Sequence, residues 1–454
     1  MKNNLWILER IKNHADGKCL ICDNVHISYA DLHEMILSWN NKISEENIRA
    51  GEIVSFVAEN KPEVLALIFA LILNNNILVP LSKDNRESHD ELIKIAEVNG
   101  IWEEGHDWVY RRTGIVSGHD FFQKLPIGEE PGLILFTSGS TGSPKAALHS
   151  LNRLMMRYRD NKKELNVKTL LFLKLFHIGG IHTLFSFVLN GGTIILTEER
   201  TPEGICRVVE RYGIELLPTT PTFLNMLILS RIYEKYNLST LKTITYGAEP
   251  MPNTTLSAMV RIFPNITLKQ TYGFTELGIL STKSKSSDSL WIQINNKSAD
   301  IKIVDNILFV RNNTSMIGYL NAPSPIDADG WFNTGDLVEV EGEFIKILGR
   351  KNEIINVGGE KVFPAHVENV LLQMPEIAEV VVSGKKNPIT GNLVTAAVTL
   401  NYDMDKIDLV KKIREFCKDR LEEFEIPRVV HITNEELIGI SLKKKRIVNT
   451  EINC

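Results

Sequence analysis

The segment from Leu133 to Lys145 reads LILFTSGSTGSPK and combines the residue types that hold an anion. An apolar run gives way to Thr137, Ser138, Gly139, Ser140, Thr141 and Gly142, and the loop closes on Lys145. Glycines let successive backbone N–H groups turn inward, hydroxyls add donors, and a lysine supplies the positive charge a phosphate needs. The spacing is not that of GxxxxGK[ST], because Gly139 and Gly142 stand too close together and Pro144 intervenes. A flexible Ser/Gly linker has a similar composition; the apolar run before the loop and the lysine after it weigh against that reading. Other candidates are weaker. His177 and His182 lie beside apolar residues at a spacing that does not put both imidazoles on one helical face, so they are not read as a zinc pair. Cys19 and Cys22 form a single CxxC without a second pair at zinc-site spacing, and read as ordinary buried thiols. Lys443-Lys444-Lys445-Arg446 is a local basic cluster, either a solvated tail or the source of a catalytic cation.

The elements around the loop alternate between apolar strands and helical patterns. Glu52–Ala58, a helix at Pro62–Leu73 and Ile77–Val79 make one such unit. Thr169–Leu173, a helix across Gly180–Asn190 and Thr193–Leu196 make another. The rhythm continues with a helix at Pro202–Tyr212, a strand at Glu215–Leu217, a helix from Pro221 and a strand at Thr243–Tyr246. Strands separated by helices predict parallel βαβ units with ligands at the carboxyl ends of the strands. After about residue 290 the texture changes. Short strands at Asp300–Val304, Ile307–Val310, Leu337–Val340 and Glu343–Ile347 predict a smaller, more antiparallel region. A last segment carries helices at Pro364–Met374 and Lys406–Leu421, with strands at Glu379–Ser383 and Leu393–Leu400 between them. The expected fold is therefore α/β: a large N-terminal domain of stacked βαβ subdomains plus a small β-barrel-like region (1–350), then a small α+β C-terminal domain (351–454).

Composition narrows the function classes. The 454 residues are 43% hydrophobic and 24% charged, an ordinary globular mix with length for several domain-sized units. A net charge of −5 argues against a surface built to grip nucleic acid or anionic lipid. No uncharged apolar run approaches the roughly 18–20 residues that span a bilayer. The N-terminal MKNNLWILERIKNHADG has charges within its apolar stretch and no small-residue cleavage pattern, so it does not read as a signal peptide and cytoplasmic residence is the default. Five scattered cysteines do not form a disulfide framework.

Five further pieces come after the loop: Leu175-Phe176-His177-Ile178-Gly179-Gly180, Tyr246-Gly247-Ala248-Glu249-Pro250, Gln270-Thr271-Tyr272-Gly273-Phe274-Thr275-Glu276, Asn333-Thr334-Gly335-Asp336, and Gly349-Arg350 with Val357-Gly358-Gly359-Glu360. In this order, from about residue 130 to the C-terminus, they resemble the motifs of the adenylate-forming superfamily of acyl-CoA synthetases, aryl-acid ligases and adenylation domains. The resemblance implies ATP and magnesium as cofactors. It casts Thr137–Gly142 and Lys145 as the phosphate loop, with Thr275 and Glu276 as the pair that meets the α-phosphate and the metal. Gly247, Ala248, Glu249, Pro250, Tyr272 and Gly273 would form the adenine slot, Asp336 would accept from the ribose hydroxyls, and Arg350 would reach the ribose or phosphate. His177 would gate the space between nucleotide and acid, core packing being the plainer alternative.

The family's lysine near the chain end, which bridges substrate carboxylate and α-phosphate, matches Lys445, with Lys444 in reserve. Here Lys444 replaces the glycine that usually precedes it. The small domain is expected to rotate about a hinge at Asn352, where Asp or Lys is commoner, and so bring Gly358 and Gly359 beside the tunnel of the incoming thiol. Amino-acid-activating relatives place an aspartate after the phenylalanine of the histidine motif. Here Phe176-His177-Ile178-Gly179-Gly180 holds no acid, and burying an ammonium without a counter-charge is costly. The expected substrate is an aryl or alkyl acid without an α-amine, in a pocket including His177, Ile178, Ile181, Tyr246, Gly273 and Leu277. The expected acceptor is coenzyme A. Two alternatives remain at this point: loading of a carrier protein's phosphopantetheine arm, and a catalytically weakened nucleotide-binding homologue.

Overall fold

The computed structural model describes residues 4–125, 128–138, 143–160, 164–434 and 437. Two seven-stranded sheets dominate it. In the first, Thr267–Gln270, Thr243–Tyr246, Leu216–Thr219, Lys168–Leu170, Thr193–Leu196 and Lys18–Cys22 lie side by side and parallel, and Val25–Ser28 adds an antiparallel edge. In the second, Gly132–Ser138, Ile77–Leu81, Ile53–Val57 and Gly100–Glu104 form a parallel centre. Antiparallel Pro144–Ser150 and Trp108–Arg112 flank that centre, so the phosphate-loop candidate sits at the tip of the hairpin Gly132–Ser138/Pro144–Ser150.

Local sequence explains why the helices start where they do. Pro62, Pro202 and Pro221 each occupy the first helical turn, where a missing N–H costs nothing. Thr201 and Thr220 cap the second and third of these by accepting from Gly204 N and Phe223 N. The helix Pro62–Leu73 buries eleven of its residues, consistent with a place between layers and not on a surface. One apolar core joins it to Leu133 and Leu135 of the loop's strand and to Leu184 and Phe185 of the helix Ile178–Val188. The platform under the phosphate-loop candidate is thus continuous with the helix that starts just after His177.

A third, six-stranded antiparallel sheet makes up the expected small barrel-like region. Two of its strands are longer than the sequence pattern suggested: Leu337–Val340 lies within Phe332–Glu341, and Glu343–Ile347 overlaps a strand that runs from Phe344 to Arg350. Residues 333–336 and 349–350, which belong to two of the motif pieces, continue the ladder. Beyond it lie the hairpin Ile355–Val357/Glu360–Val362 and a three-stranded sheet of Ile377–Asn387, Gly391–Leu400 and Val429–Ile432. These pack with helices Pro364–Leu371 and Lys406–Cys417 around a separate core that includes Val362, Val367, Leu409 and Ile413. The architecture is an α/β large domain of mixed sheets, succeeded by a small α+β domain. Cys19 is fully buried and Cys22 half-buried, both as free thiols whose pKa is pushed up by burial. No helix among the described residues is long and apolar enough to cross a membrane.

Candidate active site

Cross-strand register makes the first contact of the site. Asp336 and Arg350 sit opposite each other on antiparallel strands, and Arg350 Nε lies 3.6 Å from Asp336 Oδ1. From the hairpin Tyr272–Phe274/Gly278–Leu280, the Tyr272 hydroxyl donates to Asp336 Oδ2 at 2.8 Å. Asp336 is only 6% exposed, and burial raises its pKa from 3.8 to about 6 against the opposing pull of Arg350 and Tyr272. Burial likewise pushes the Tyr272 phenol well up, so it remains a donor. The carboxylate thus stands at the floor of a cleft with one arginine at the rim, suited to accept from neutral hydroxyls.

That cleft has a volume of about 270 Å³, and Ala248, Glu249, Pro250, Tyr272, Gly273, Asp336 and Arg350 all line it. Gly247 lies just behind. A Cβ there would come within 2.4 Å of Thr271 Oγ1 and 2.7 Å of its carbonyl, so only glycine lets the two backbones approach this closely. Ala248 has φ +72°, a strained conformation for a residue with a side chain and one that clusters at binding sites. Glu249 Oε1 accepts from Thr222 N, which anchors this loop to the start of the helix Pro221–Ser230. Gln270, Thr271, Phe274, Leu290 and Glu353 also line the cleft, and the motif reading gave them no role.

Continuing past Phe274, Thr275-Glu276-Leu277 form the turn of the hairpin. Glu276 accepts a hydrogen bond from the Tyr319 hydroxyl. Tyr319 pairs with Ala147 of the phosphate loop's outgoing strand, Lys145 Nζ stands 5.5 Å from its ring centroid, and the Thr137 side chain reaches its hydroxyl. Thr137, Lys145 and Glu276 are therefore gathered around one aromatic residue that no motif singled out. The pattern could have exposed it only through the short Gly318–Tyr319 strand, too brief to read by periodicity. Ser138 ends the incoming strand; Gly139, Ser140, Thr141 and Gly142 lie outside the described residues. Glu276 is a hard carboxylate on the same tyrosine that Lys145 approaches, which fits magnesium, an ion that takes one or two protein carboxylates and completes its shell with phosphate and water.

A second, smaller cavity of about 20 Å³ lies between the helices Leu151–Asp160 and Ile178–Val188. Leu154, Ile178, Ile181, Phe185 and Ile279 make its apolar wall; Arg157, Tyr158, His182 and Thr314 are its polar groups. Of the expected acyl-pocket residues, Ile178 and Ile181 are here. Gly273, expected in both the acyl pocket and the adenine slot, lines the larger cleft, and Tyr246 and Leu277 are 1% and 0% exposed within apolar cores. His177 precedes the first turn of its helix, half-buried, its ring 4.5 Å from that of Phe176. His182 points elsewhere: its Nδ1 meets the Tyr158 hydroxyl at 2.7 Å, and burial lowers its pKa to about 3.

Two family models match in tandem: the AMP-binding enzyme family over residues 102–306 and its C-terminal domain over 366–440, together more than half of the chain. The chain belongs to the adenylate-forming superfamily, in the AMP-forming acid–CoA ligase family. A 2-succinylbenzoate–CoA ligase from Bacillus cytotoxicus is 26% identical, over 95% of this chain and 94% of the relative. An indoleacetate–CoA ligase from Aromatoleum aromaticum is 26% identical over 92% of each. Among solved structures, o-succinylbenzoate coenzyme A synthetase of Bacillus subtilis with ATP and magnesium matches with a TM-score of 0.77 at 20% identity, over 97% of this chain and 98% of that one. An anthranilate CoA ligase with anthranoyl-AMP matches at 0.82 and 16%, over 97% and 95%. At these identities the structural likeness speaks for the fold.

In this ligase-family chain the remaining motif residues sit apart from the cleft. Asn352 is exposed in the single 3₁₀ turn Lys351–Glu353, which joins the antiparallel sheet to the hairpin Ile355–Val357/Glu360–Val362. Gly358 and Gly359 form the turn of that hairpin, with φ +62° and +98°. The turn alone requires glycine-like backbone, whatever passes beside it. Lys444 and Lys445 lie outside the described residues. Residues 151–160, which supply Arg157 and Tyr158, received no element from the sequence, although Leu151, Leu154, Met155 and Tyr158 recur at helical spacing and are buried.

Proposed function

We propose that this protein activates a carboxylic acid lacking an α-amine, aryl or alkyl, to an acyl-adenylate and transfers the acyl group to coenzyme A. The observation that carries the reading is the convergence of Tyr272, Asp336, Arg350 and the strained Gly247–Ala248 backbone on one cleft. Thr137, Lys145 and Glu276 gather around Tyr319 at the turn that leaves that cleft. Adenine and ribose would occupy the cleft, with Asp336 accepting from ribose hydroxyls and the phosphates running toward Lys145. Magnesium held by Glu276 would neutralise phosphate charge. The acid's carboxylate oxygen bonds to the α-phosphorus as the bond to the bridging oxygen breaks and pyrophosphate leaves. Coenzyme A then attacks the acyl carbon through sulfur, its thiol proton goes to solvent, and AMP leaves.

Lys445 is the proposed bridge between carboxylate and α-phosphate. Residues 351–454 are the proposed moving domain, turning at Asn352 between the two half-reactions, with Gly358 and Gly359 beside the thiol. Coenzyme A is preferred over a carrier protein because the relatives from Bacillus cytotoxicus and Aromatoleum aromaticum are named as coenzyme A ligases. The test is pyrophosphate release across a panel of aromatic and aliphatic acids, then thioester assays with coenzyme A or a carrier protein as acceptor. Lys445→Ala should suppress adenylation while sparing thioester formation from supplied adenylate. Equal loss of both steps would remove the role given to Lys445, and absence of acid-dependent pyrophosphate release would end the reading.

A further inference from the structure

The cavity between helices Leu151–Asp160 and Ile178–Val188 holds a cation without an evident counter-charge. Arg157 is half-buried, and one of its terminal nitrogens donates to the Ile279 carbonyl at 2.7 Å. Among the described residues no carboxylate pairs with it; Asp160, the acid nearest in sequence, pairs with Arg159 at 3.0 Å. The neighbouring His182 brings no charge, because burial and then the positive field of Arg157 lower its pKa to about 3. Its imidazole is spent on the Tyr158 hydroxyl, which also touches Ser186. A guanidinium carries five N–H donors in a planar fork that suits a carboxylate in a bidentate pair. In a lining more than half apolar that pair is worth more than in water.

We propose that Arg157 recognises a second, distal carboxylate on the acid substrate, so that the preferred substrates are dicarboxylic acids with an apolar body. This rests on the ligase reading and names the substrate class for it. Ile279 links the two ends geometrically: it lines the cavity and lies on the strand that leaves the Thr275–Leu277 turn, which carries Glu276. A volume of about 20 Å³ takes a terminal group of carboxylate size, while the apolar body of the acid would lie against Ile178, Ile181 and Ile279. An ammonium-bearing acid is disfavoured on the same ground, since it would face Arg157 with like charge.

The experiment compares matched mono- and dicarboxylic acids on the same aryl and straight-chain skeletons, reading kcat/KM from pyrophosphate release by the full-length protein. The wild type should favour the dicarboxylic member by about tenfold or more, the range in which a designed polar contact discriminates. Arg157→Gln keeps a donor for the Ile279 carbonyl but removes the charge. It should collapse the preference about tenfold, with the KM for ATP and the thermal midpoint unmoved; Arg157→Lys should restore part of the preference. Turnover without a preference for the second carboxylate, or a preference that survives Arg157→Gln, overturns the inference and leaves the ligase reading standing. If neither series releases pyrophosphate, the ligase reading falls and this inference with it.

Discussion

Along the nucleotide cleft, the working groups come from strand ends and tight turns: Asp336 and Arg350 from a ladder pair, Tyr272 from a hairpin, Ala248 from a strained loop. In the cavity between helices 151–160 and 178–188, they come from side chains on two helix faces, and the backbone there is regular. The first region therefore depends on special φ/ψ and close backbone approach, which only a few residue types satisfy. The second depends on which side chains happen to project inward, which many residue types satisfy. Under the proposed function, the part common to every acid is fixed by backbone, and the part that chooses the acid is free to vary. Substitutions in the cleft should affect all acids alike, and substitutions in the cavity should affect acids differently.

The sharpest attempt to break that division is Glu276→Ala. If Glu276 serves the phosphates, its loss should lower adenylation by about 10²–10³, the scale of losing a group that stabilises developing charge. The loss should be equal across acids and accompanied by a weakened dependence on magnesium concentration. An effect that varies from acid to acid would place Glu276 on the wrong side of the comparison.

Asp336→Asn tests the same side with a smaller effect. A hydrogen bond to a charged group contributes about 1.5–3 kcal/mol, so the KM for ATP should rise about tenfold or more. The sign of its pH dependence is opposite to that of a salt-bridged surface acid. Burial raises the pKa of Asp336 from 3.8 to about 6, so the folded protein favours the protonated form. This group therefore adds stability below pH 3.8 and loses that contribution as pH climbs toward 6, whereas ionised Asp336 binds the ribose better. Affinity for ATP should rise through about pH 6 in the wild type. Because ATP itself titrates nearby, the informative quantity is the ratio of wild type to Asp336→Asn, which should widen across that interval. A constant ratio would show that Asp336 does not titrate in the site.

The same division explains what could be read from sequence. Gly247 was legible because its backbone demand leaves a pattern in residue type and order. The parallel units were legible too, since Pro62, Pro202 and Pro221 mark helix starts and the buried strands between them run apolar. Tyr319 escaped because two ladder pairs place it beside Glu276, and a two-residue strand carries no period. Tyr246, which opens one motif piece, and Leu277, which follows another, were expected in the acyl pocket. Alternation along a strand and the turn of a hairpin send them into apolar cores instead. Arg157 was overlooked for a different reason. On a helical surface, arginine is commonplace, and only the packing of the second helix over it encloses its side chain.

The gentlest probe lies on the variable side. Ile181 is 2% exposed and faces the cavity from the second turn of its helix. Ile181→Val removes one methylene, worth about 0.8 kcal/mol of apolar contact, or about fourfold in kcat/KM for an acid that packs against it. An acid with a bulkier body should lose less or gain, because the removed methylene opens room where it needs space. The change in global stability should stay near the usual cost of such a truncation, about 0.5–1.5 kcal/mol, measurable as a small fall in the denaturation midpoint. What decides the matter is the pairing of observables: acid ranking should shift while the KM for ATP and the magnesium dependence stay fixed. A uniform loss across acids, accompanied by a change in the KM for ATP, would mean that the helix acts on the nucleotide cleft as well. The two regions would then be one cooperative pocket instead of a fixed half joined to a variable half.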